Sequence, residues 1–450
     1  MKSTPWRGTT SGPEAAATTT PRRVAFRLLP FLAVLYVVAY IDRANVAFAA
    51  TAMRSDLGFS QELFGFGSGI FFAGYLLLGL PGAVITARFG ARRWIVCILL
   101  TWGSITVLGG LAHTAVQFIC VRFLLGLAEG GFLPAIVCYL SRWFRQRDRA
   151  RALAGFIVAQ PVAMSLSSGI SSALLRVHWL HMAGWRWLFF LEGLPALGCG
   201  VWTWFYMTDT PDQAEWLSVE SREWLIGELA AETAGHAQQS ALPWWAGLKQ
   251  PRVLLLTATT FFACLAGYGF TLWLPSMLEG GSHAGSAAGA TGALRSLLPF
   301  GCGIVGTLVI GWRSDKSSQP ARYACGALFA AGVFLLLAAI APSAGGLALM
   351  CFCCTGAMVW AWTAPFWVLL TLLLREEAAA AAIGFVNSVG NLGGFAGAYL
   401  IGRLLTHGWT YSGATVWLSV SYVLAAGCTY LAVRLGRRAR APASGAMAEA

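Results

Sequence analysis

Asp42 and Arg43 stand side by side inside the first long apolar run of the chain, and Arg122 and Glu129 lie within the fourth. A charge at the centre of a bilayer costs at least about 2.5–3.5 kcal/mol on insertion scales, so such residues face water or one another and usually serve a pathway. Arg122 and Glu129 are two helical turns apart, about 10 Å, so they share nearly one face and can line one cavity. Asp42 lies about 22 Å along its helix from Arg27, and Arg122 about 10 Å below the outer end of its own helix, which puts all four at overlapping depths. With both carboxylates ionised this quartet is neutral. Protonating both leaves two guanidinium groups unopposed, a state that attracts an anion. Burial beside other carboxylates raises a carboxyl's proton affinity in general, and Arg is suited to bidentate carboxylate recognition. The chemistry these residues offer is proton-coupled binding of an organic anion, with Asp42 and Glu129 carrying protons and Arg43 and Arg122 holding the anion. The competing reading, in which the four make structural ion pairs between spans one and four, uses the same residues.

Neutral polar groups at similar depths can complete such a site: Tyr40, Tyr75 on span two, Gln160 on span five, and Asn387 and Asn391 on span eleven. Each can hydrogen-bond a polar substrate, and each can equally make an interhelical hydrogen bond. Tyr268 and Trp273 in "YGFTLWLP", with Trp360, Trp362 and Trp367 in "WAWTAPFW", are candidates for the opposite wall, or for packing.

The elements that must position these groups are long apolar helices. Of the 450 residues 57% are hydrophobic and 11% charged, against roughly 25% charged in an ordinary soluble domain. Runs long enough to cross a bilayer, about 20 residues each, fall at 28–50, 62–86, 94–112, 115–140, 152–175, 186–208, 252–278, 295–312, 323–341, 345–374, 378–402 and 411–433. The runs are continuous rather than alternating, which excludes a barrel. The expected fold is an all-α membrane protein of 12 transmembrane helices in two pseudo-symmetric six-helix bundles. The expected organisation is a disordered cytoplasmic tail over 1–26, a first bundle over 27–208, a cytoplasmic linker with a surface helix over 209–251, a second bundle over 252–434 and a tail over 435–450. The first 26 residues lack the apolar core of a signal peptide.

The net charge of +12 reports topology rather than nucleic-acid binding. Of the 31 Lys and Arg, only Arg54, Arg176, Arg186, Arg295 and Arg403 fall in or beside one set of loops, with Arg43 and Arg122 inside spans. The positive-inside rule then puts both termini in the cytoplasm. The 11 cysteines lie mostly within spans without converging His or carboxylates, so they read as packing residues, and neither a metal site nor a cofactor is expected. Two loops, "GAVITARFGARR" (82–93) and "GWRSDKSSQPAR" (311–322), occupy equivalent places in the two halves. Weak internal symmetry of this kind points to a secondary transporter with its site near the midplane.

"YIDRANVAFA" (40–49), "RFGARRWI" (88–95), "RFLLGLAEGGFLP" (122–134), "GWRWLFFLEGLPA" (184–196), "DTPDQAEWLS" (209–218), "YGFTLWLP" (268–275) and "VNSVGNLGGF" (386–395) run through most of the chain. Together they resemble the major facilitator superfamily, and within it the anion:cation symporter branch that includes tartrate and phthalate permeases. The resemblance implies a twelve-helix rocker that moves organic anions, commonly with protons, across a bacterial inner membrane. It puts coupling and anion recognition on Asp42, Arg43, Arg122 and Glu129, and the substrate cavity on Tyr40, Tyr75, Gln160, Asn387 and Asn391. The loop residues Arg88, Arg92 and Asp315 then serve gating, although Ala87 stands where the superfamily pattern has Asp. The expected partners are a small organic anion, the lipid bilayer, and a proton, with Na⁺ as the other candidate ion; a monomer suffices. An alternative within the same fold is proton-antiport export of drugs or metabolites. An enzyme is disfavoured because the six His lie in loops or at span ends.

Overall fold

A computed structural model describes residues 13–145, 148, 159–236, 250–278, 290–341, 346–373 and 376–438. The described residues form helices joined by turns, with no strand among them. The first half contains α1 (Pro13–Leu57), α2 (Gln61–Phe89), α3 (Ala91–Gly109), α4 (Ala115–Gly130), α5 (Phe132–Trp143), α6 (Ala159–Leu174) and α7 (Gly184–Tyr206). After α8 (Val219–His236) come α9 (Pro251–Leu278), α10 (Ala290–Ser317), α11 (Pro320–Ile340), α12 (Gly346–Val359), α13 (Thr363–Leu373), α14 (Glu376–Thr406) and α15 (Tyr411–Arg438).

Ten of these stretches are long and apolar enough to cross a membrane, with α4–α5 and α12–α13 each counting as one. The other two expected spans are α6, described over 16 residues, and α14, where Asn387, Ser388 and Asn391 dilute the apolar character. α1 begins earlier than the sequence suggests. Residues 13–26, part of the tail expected to be disordered, are helical; residues 1–12 lie outside the described residues. The expected linker helix is α8; residues 237–249 and 152–158 lie outside the described residues.

Two spans are broken at matching places. Span four stops at Gly130, four residues before Pro134, which has no N–H to bond the Gly130 carbonyl, and restarts at Phe132. Span ten breaks over Trp360–Trp362, and Pro365 likewise has no N–H for the Ala361 carbonyl. The break in span four, at Gly131, falls two residues after Glu129.

Glycines set how closely the spans approach. A Cβ on Gly126 would meet the Phe71 carbonyl and one on Gly130 the Tyr75 carbonyl, so α4 lies against α2 backbone to backbone. This close crossing brings the Arg122–Glu129 face against the α2 residues Phe71 and Tyr75. The α2–α3 turn is made by Gly90 at φ 87°, and the equivalent α10–α11 turn by Ser318 at φ 52°.

The two halves meet along α2 and α14. Gly65 and Gly69 on α2 lie against Ala398 and Phe395 on α14, and Gly402 lies against Gln61. Tyr399 Oη donates to Glu62 Oε1 at 2.9 Å, and the Glu62 amide donates to Thr406 Oγ1 at 2.9 Å. Phe64 of α2 meets the buried Trp273 of α9 edge-on at 5.7 Å. Arg88 and Asp315 are exposed.

Candidate functional site

Consecutive helical residues point about 100° apart, so Asp42 and Arg43 cannot face the same neighbour. The four charges predicted to act together divide accordingly. Arg43 turns to α4, where its Nε donates to Glu129 Oε2 at 2.7 Å; Arg43 keeps 14% exposure and Glu129 only 1%. Asp42, fully buried, turns to α3. Its Oδ2 accepts from Trp102 Nε1 at 2.6 Å and Thr106 Oγ1 at 2.9 Å, and its Oδ1 from Asn45 Nδ2 at 3.0 Å. Trp102 and Thr106 are themselves four residues apart, one turn on one face. Asp42 is thus held by three neutral donors rather than by an arginine.

Arg122 is buried at 3% exposure, and its Nε and Nη1 have no hydrogen-bond partner. Its guanidinium lies 5.1 Å from the Phe71 ring centre, and that of Arg43 lies 5.2 Å from the same ring. Arg43 also stands 5.0 Å from the ring centres of both Tyr40 and Tyr75. A cation over an aromatic face is stabilised by about 0.5–2 kcal/mol, so these rings hold both guanidiniums without neutralising them. Glu129 Oε1 is also buried without a partner. The site therefore presents unspent donors on one cation and one unspent acceptor on the paired acid.

The other expected lining residues are placed unevenly. Tyr40 receives the Tyr36 hydroxyl at 3.3 Å. Tyr268, from the second half, packs on Phe72 at 4.5 Å and lies close enough to Arg43, Tyr40 and Tyr75 to interact with them electrostatically. Gln160 is half-buried on α6. Asn391 Nδ2 bonds the Asn387 carbonyl at 2.8 Å and Oδ1 at 3.2 Å, which ties the two amides to one another along α14. Trp367 meets Phe366 edge-on at 5.7 Å. Among the described residues no contact links Gln160, Asn387, Asn391 or Trp367 to the Arg43–Glu129 pair. Trp273 and Trp362 are buried in the apolar core of the second half.

Of the loop residues, Arg92 is the one engaged: its amide donates to Asp209 Oδ1 at 2.8 Å, and its guanidinium lies over Trp204 at 5.2 Å. Asp209 thereby caps the start of α3 where Ala87 offers no carboxylate, a role the sequence reading left unassigned. A second cluster it passed over ties α1 to α7. Arg186 Nη1 donates to the carbonyls of Gly110 and Ala112 at 3.0 and 2.9 Å, its Nη2 reaches Asp56 Oδ2 at 3.3 Å, and Trp185 Nε1 donates to the same Asp56 oxygen at 2.9 Å. Arg186 is a structural clasp rather than a loop charge.

The family model described as Major Facilitator Superfamily matches residues 32–398. An Agrobacterium vitis protein provisionally named a tartrate transporter is 37% identical over 422 residues, covering 93% of this chain and 92% of that protein. The quinolone resistance transporter of Acinetobacter baumannii is 36% identical over 417 residues, 91% of this chain and 94% of the relative. Among solved structures, the inward-open xylose transporter XylE of E. coli aligns with TM-score 0.71 at 15% identity, over 90% of this chain and 96% of that one. These relatives are multi-pass membrane transporters of small molecules and not enzymes. Their match over nearly the whole chain, with the broken helices and paired halves described above, makes this protein a member of the major facilitator superfamily.

Proposed function

We propose that the protein takes up a small organic carboxylate together with protons, by alternating access between a bundle over 27–208 and a bundle over 252–434 joined by the 209–251 linker. The observation that carries this reading is the pair of unmet valences at one site. Arg122 has two buried N–H groups without an acceptor, and Glu129 has a buried oxygen without a donor. A carboxylate substrate supplies the first and a proton supplies the second. Leaving such groups buried and unpaired costs about 1–3 kcal/mol each, more for charged groups, so binding both ligands together relieves a cost that neither relieves alone. Arg43 is released toward the substrate when protonation of Glu129 weakens their ion pair.

Tyr40, Tyr75 and Tyr268 bound the anion, while Gln160, Asn387 and Asn391 contact it in a more closed state. Trp367 lines the wall further out. The provisional tartrate assignment of the relative favours a hydroxylated dicarboxylic acid within this class. The Lys and Arg distribution supports a bacterial inner-membrane location with both termini cytoplasmic. On that orientation the end where Glu62, Gly65, Tyr399 and Gly402 meet faces away from the cytoplasm. Arg88, Arg92 and Asp315 then sit at the cytoplasmic end, where they serve gating.

The test is uptake of labelled organic acids into proteoliposomes, with and without an inward proton gradient. The reading requires one acid to accumulate and the accumulation to collapse with the gradient. A second reading, export by proton antiport, draws on the quinolone resistance relative. It predicts that cells carrying the protein survive higher quinolone concentrations, whereas uptake predicts no change in resistance.

A further inference from the structure

Behind Asp42, on the side of α1 away from Arg122, lies a second buried carboxyl group. Glu192 of α7 is 4% exposed; its Oε1 accepts from Ser171 Oγ at 3.0 Å, and Ser171 exchanges a hydrogen bond with Ser167 at 3.3 Å. Its Oε2 has no partner. Asn45 is the group the two acids share: its Nδ2 donates to Asp42 Oδ1, and its side chain interacts with Glu192. Asn45 Oδ1 is also buried and unpartnered.

The inventory of donors decides what is missing. Asp42 already receives three donors, so both its oxygens are acceptors. Two acceptors then remain in the same buried cluster, Glu192 Oε2 and Asn45 Oδ1, with no hydrogen assigned to either. One proton on Glu192 Oε2, donated to Asn45 Oδ1, satisfies both. The chain of hydrogen bonds then runs in one direction, from Ser167 through Ser171 to Glu192, and from Glu192 through Asn45 to Asp42. Rotating the Asn45 amide by half a turn reverses it: Nδ2 serves an ionised Glu192 and Oδ1 accepts from a protonated Asp42. Between those states one O–H bond is lost on Glu192 and one is formed on Asp42, with no change in net charge.

We propose that Glu192 is a second proton-holding residue of the transporter, paired with Asp42 so that the two carboxyls share one proton and the Asn45 amide sets which of them carries it. The groups around it leave the pair to itself. From α1 it faces Asp42 and Asn45, since Arg43 is turned to Glu129; from α6 it faces Ser167 and Ser171. Beside it, Gly193 lies against the uncharged Gly103 and Val107 of α3. On α7 the nearest charge is Arg186, about 9 Å along the helix and already bound to Asp56 and two carbonyls. Asp42 in turn lies within electrostatic range of Glu129 and Arg122. Occupation of the substrate site therefore alters where the shared proton rests. The role in coupling rests on the proton-driven uptake proposed above; the shared proton itself does not.

The experiment is infrared difference spectroscopy of the reconstituted protein at neutral pH, read in the protonated-carboxyl C=O region. Wild type is expected to show a deuterium-sensitive band that Glu192→Gln removes. Retention of every wild-type band in Glu192→Gln overturns the proposal. If that variant does not accumulate in membranes, Ser171→Ala is read instead: loss of the donor to Oε1 shifts the same band, and an unmoved band overturns the proposal equally. In proteoliposomes Glu192→Gln is expected to keep substrate counterflow within about twofold of wild type and to lose at least tenfold of gradient-driven accumulation. Equal accumulation by variant and wild type refutes the coupling role of Glu192. Accumulation by wild type without any gradient instead refutes proton coupling as a whole, and the infrared result still decides the shared proton.

Discussion

At the scale of single residues the site is defined by what its charges lack. Arg43 and Glu129 share one bond at 2.7 Å that leaves Glu129 Oε1 unpaired, while Arg122 keeps Nε and Nη1 unspent. A charged hydrogen bond contributes about 1.5–3 kcal/mol, roughly 10–150-fold in affinity. Arg122→Lys, which keeps the charge and loses the bidentate fork, is therefore expected to raise the substrate Kd at least tenfold; direct binding to the purified protein measures it, and an unchanged Kd contradicts the assignment. The charge quartet was legible in the sequence because ionised residues at the middle of apolar runs have no other easy explanation. Its internal pairing was not. Adjacent residues on a helix face different neighbours, and the partner of Asp42 proved to be a neutral set whose indole and hydroxyl groups carry no charge to flag them. Asn45, three residues from Asp42, was within reach of sequence reasoning; Trp102, Thr106 and Ser171 were not, because such residues occur throughout membrane helices.

At the scale of elements, close helix crossing and local capping hold the site in register. The α2–α4 crossing depends on Gly126, where any Cβ meets the Phe71 backbone. Gly126→Ala is expected to destabilise the protein by about 1–3 kcal/mol, the usual cost of overpacking, and to weaken substrate binding by displacing Arg122 and Glu129; thermal unfolding in detergent together with the binding assay reads both. At the α2–α3 turn Asp209 accepts from the first turn of α3, an N-terminal cap of about 1 kcal/mol. Asp209→Ala is expected to lower thermal stability by that amount and leave substrate affinity within twofold, and a large affinity loss would show that this turn communicates with the site. The sequence made the spans legible through hydropathy but blurred their ends. α1 is described back to Pro13, ahead of the apolar run and through Pro21, and the breaks at Gly131 and Trp360–Trp362 became visible only with the backbone in place.

At the scale of the molecule the two halves pack against each other through α2 and α14. This seam relies on backbone contact, Gly65 lying against the Ala398 carbonyl and Gly402 against Gln61. Gly65→Leu is expected to pry it apart. Spin labels at Ser60 and His407 measure the opening as a longer distance distribution than in an otherwise wild-type background, and an unchanged distribution would mean the seam tolerates bulk. Duplication of the fold was readable from the matched loops at 82–93 and 311–322, whereas the α2–α14 seam, a set of contacts between distant spans, was not. The central claim is that an anion and a proton meet the unspent groups of Arg122 and Glu129. Its most direct test is gradient-driven uptake and counterflow of a transported organic acid in proteoliposomes, comparing wild type with Glu129→Gln. The account predicts that Glu129→Gln retains counterflow, loses at least tenfold of accumulation, and no longer gains rate as external pH falls. Accumulation at wild-type levels by Glu129→Gln would contradict it.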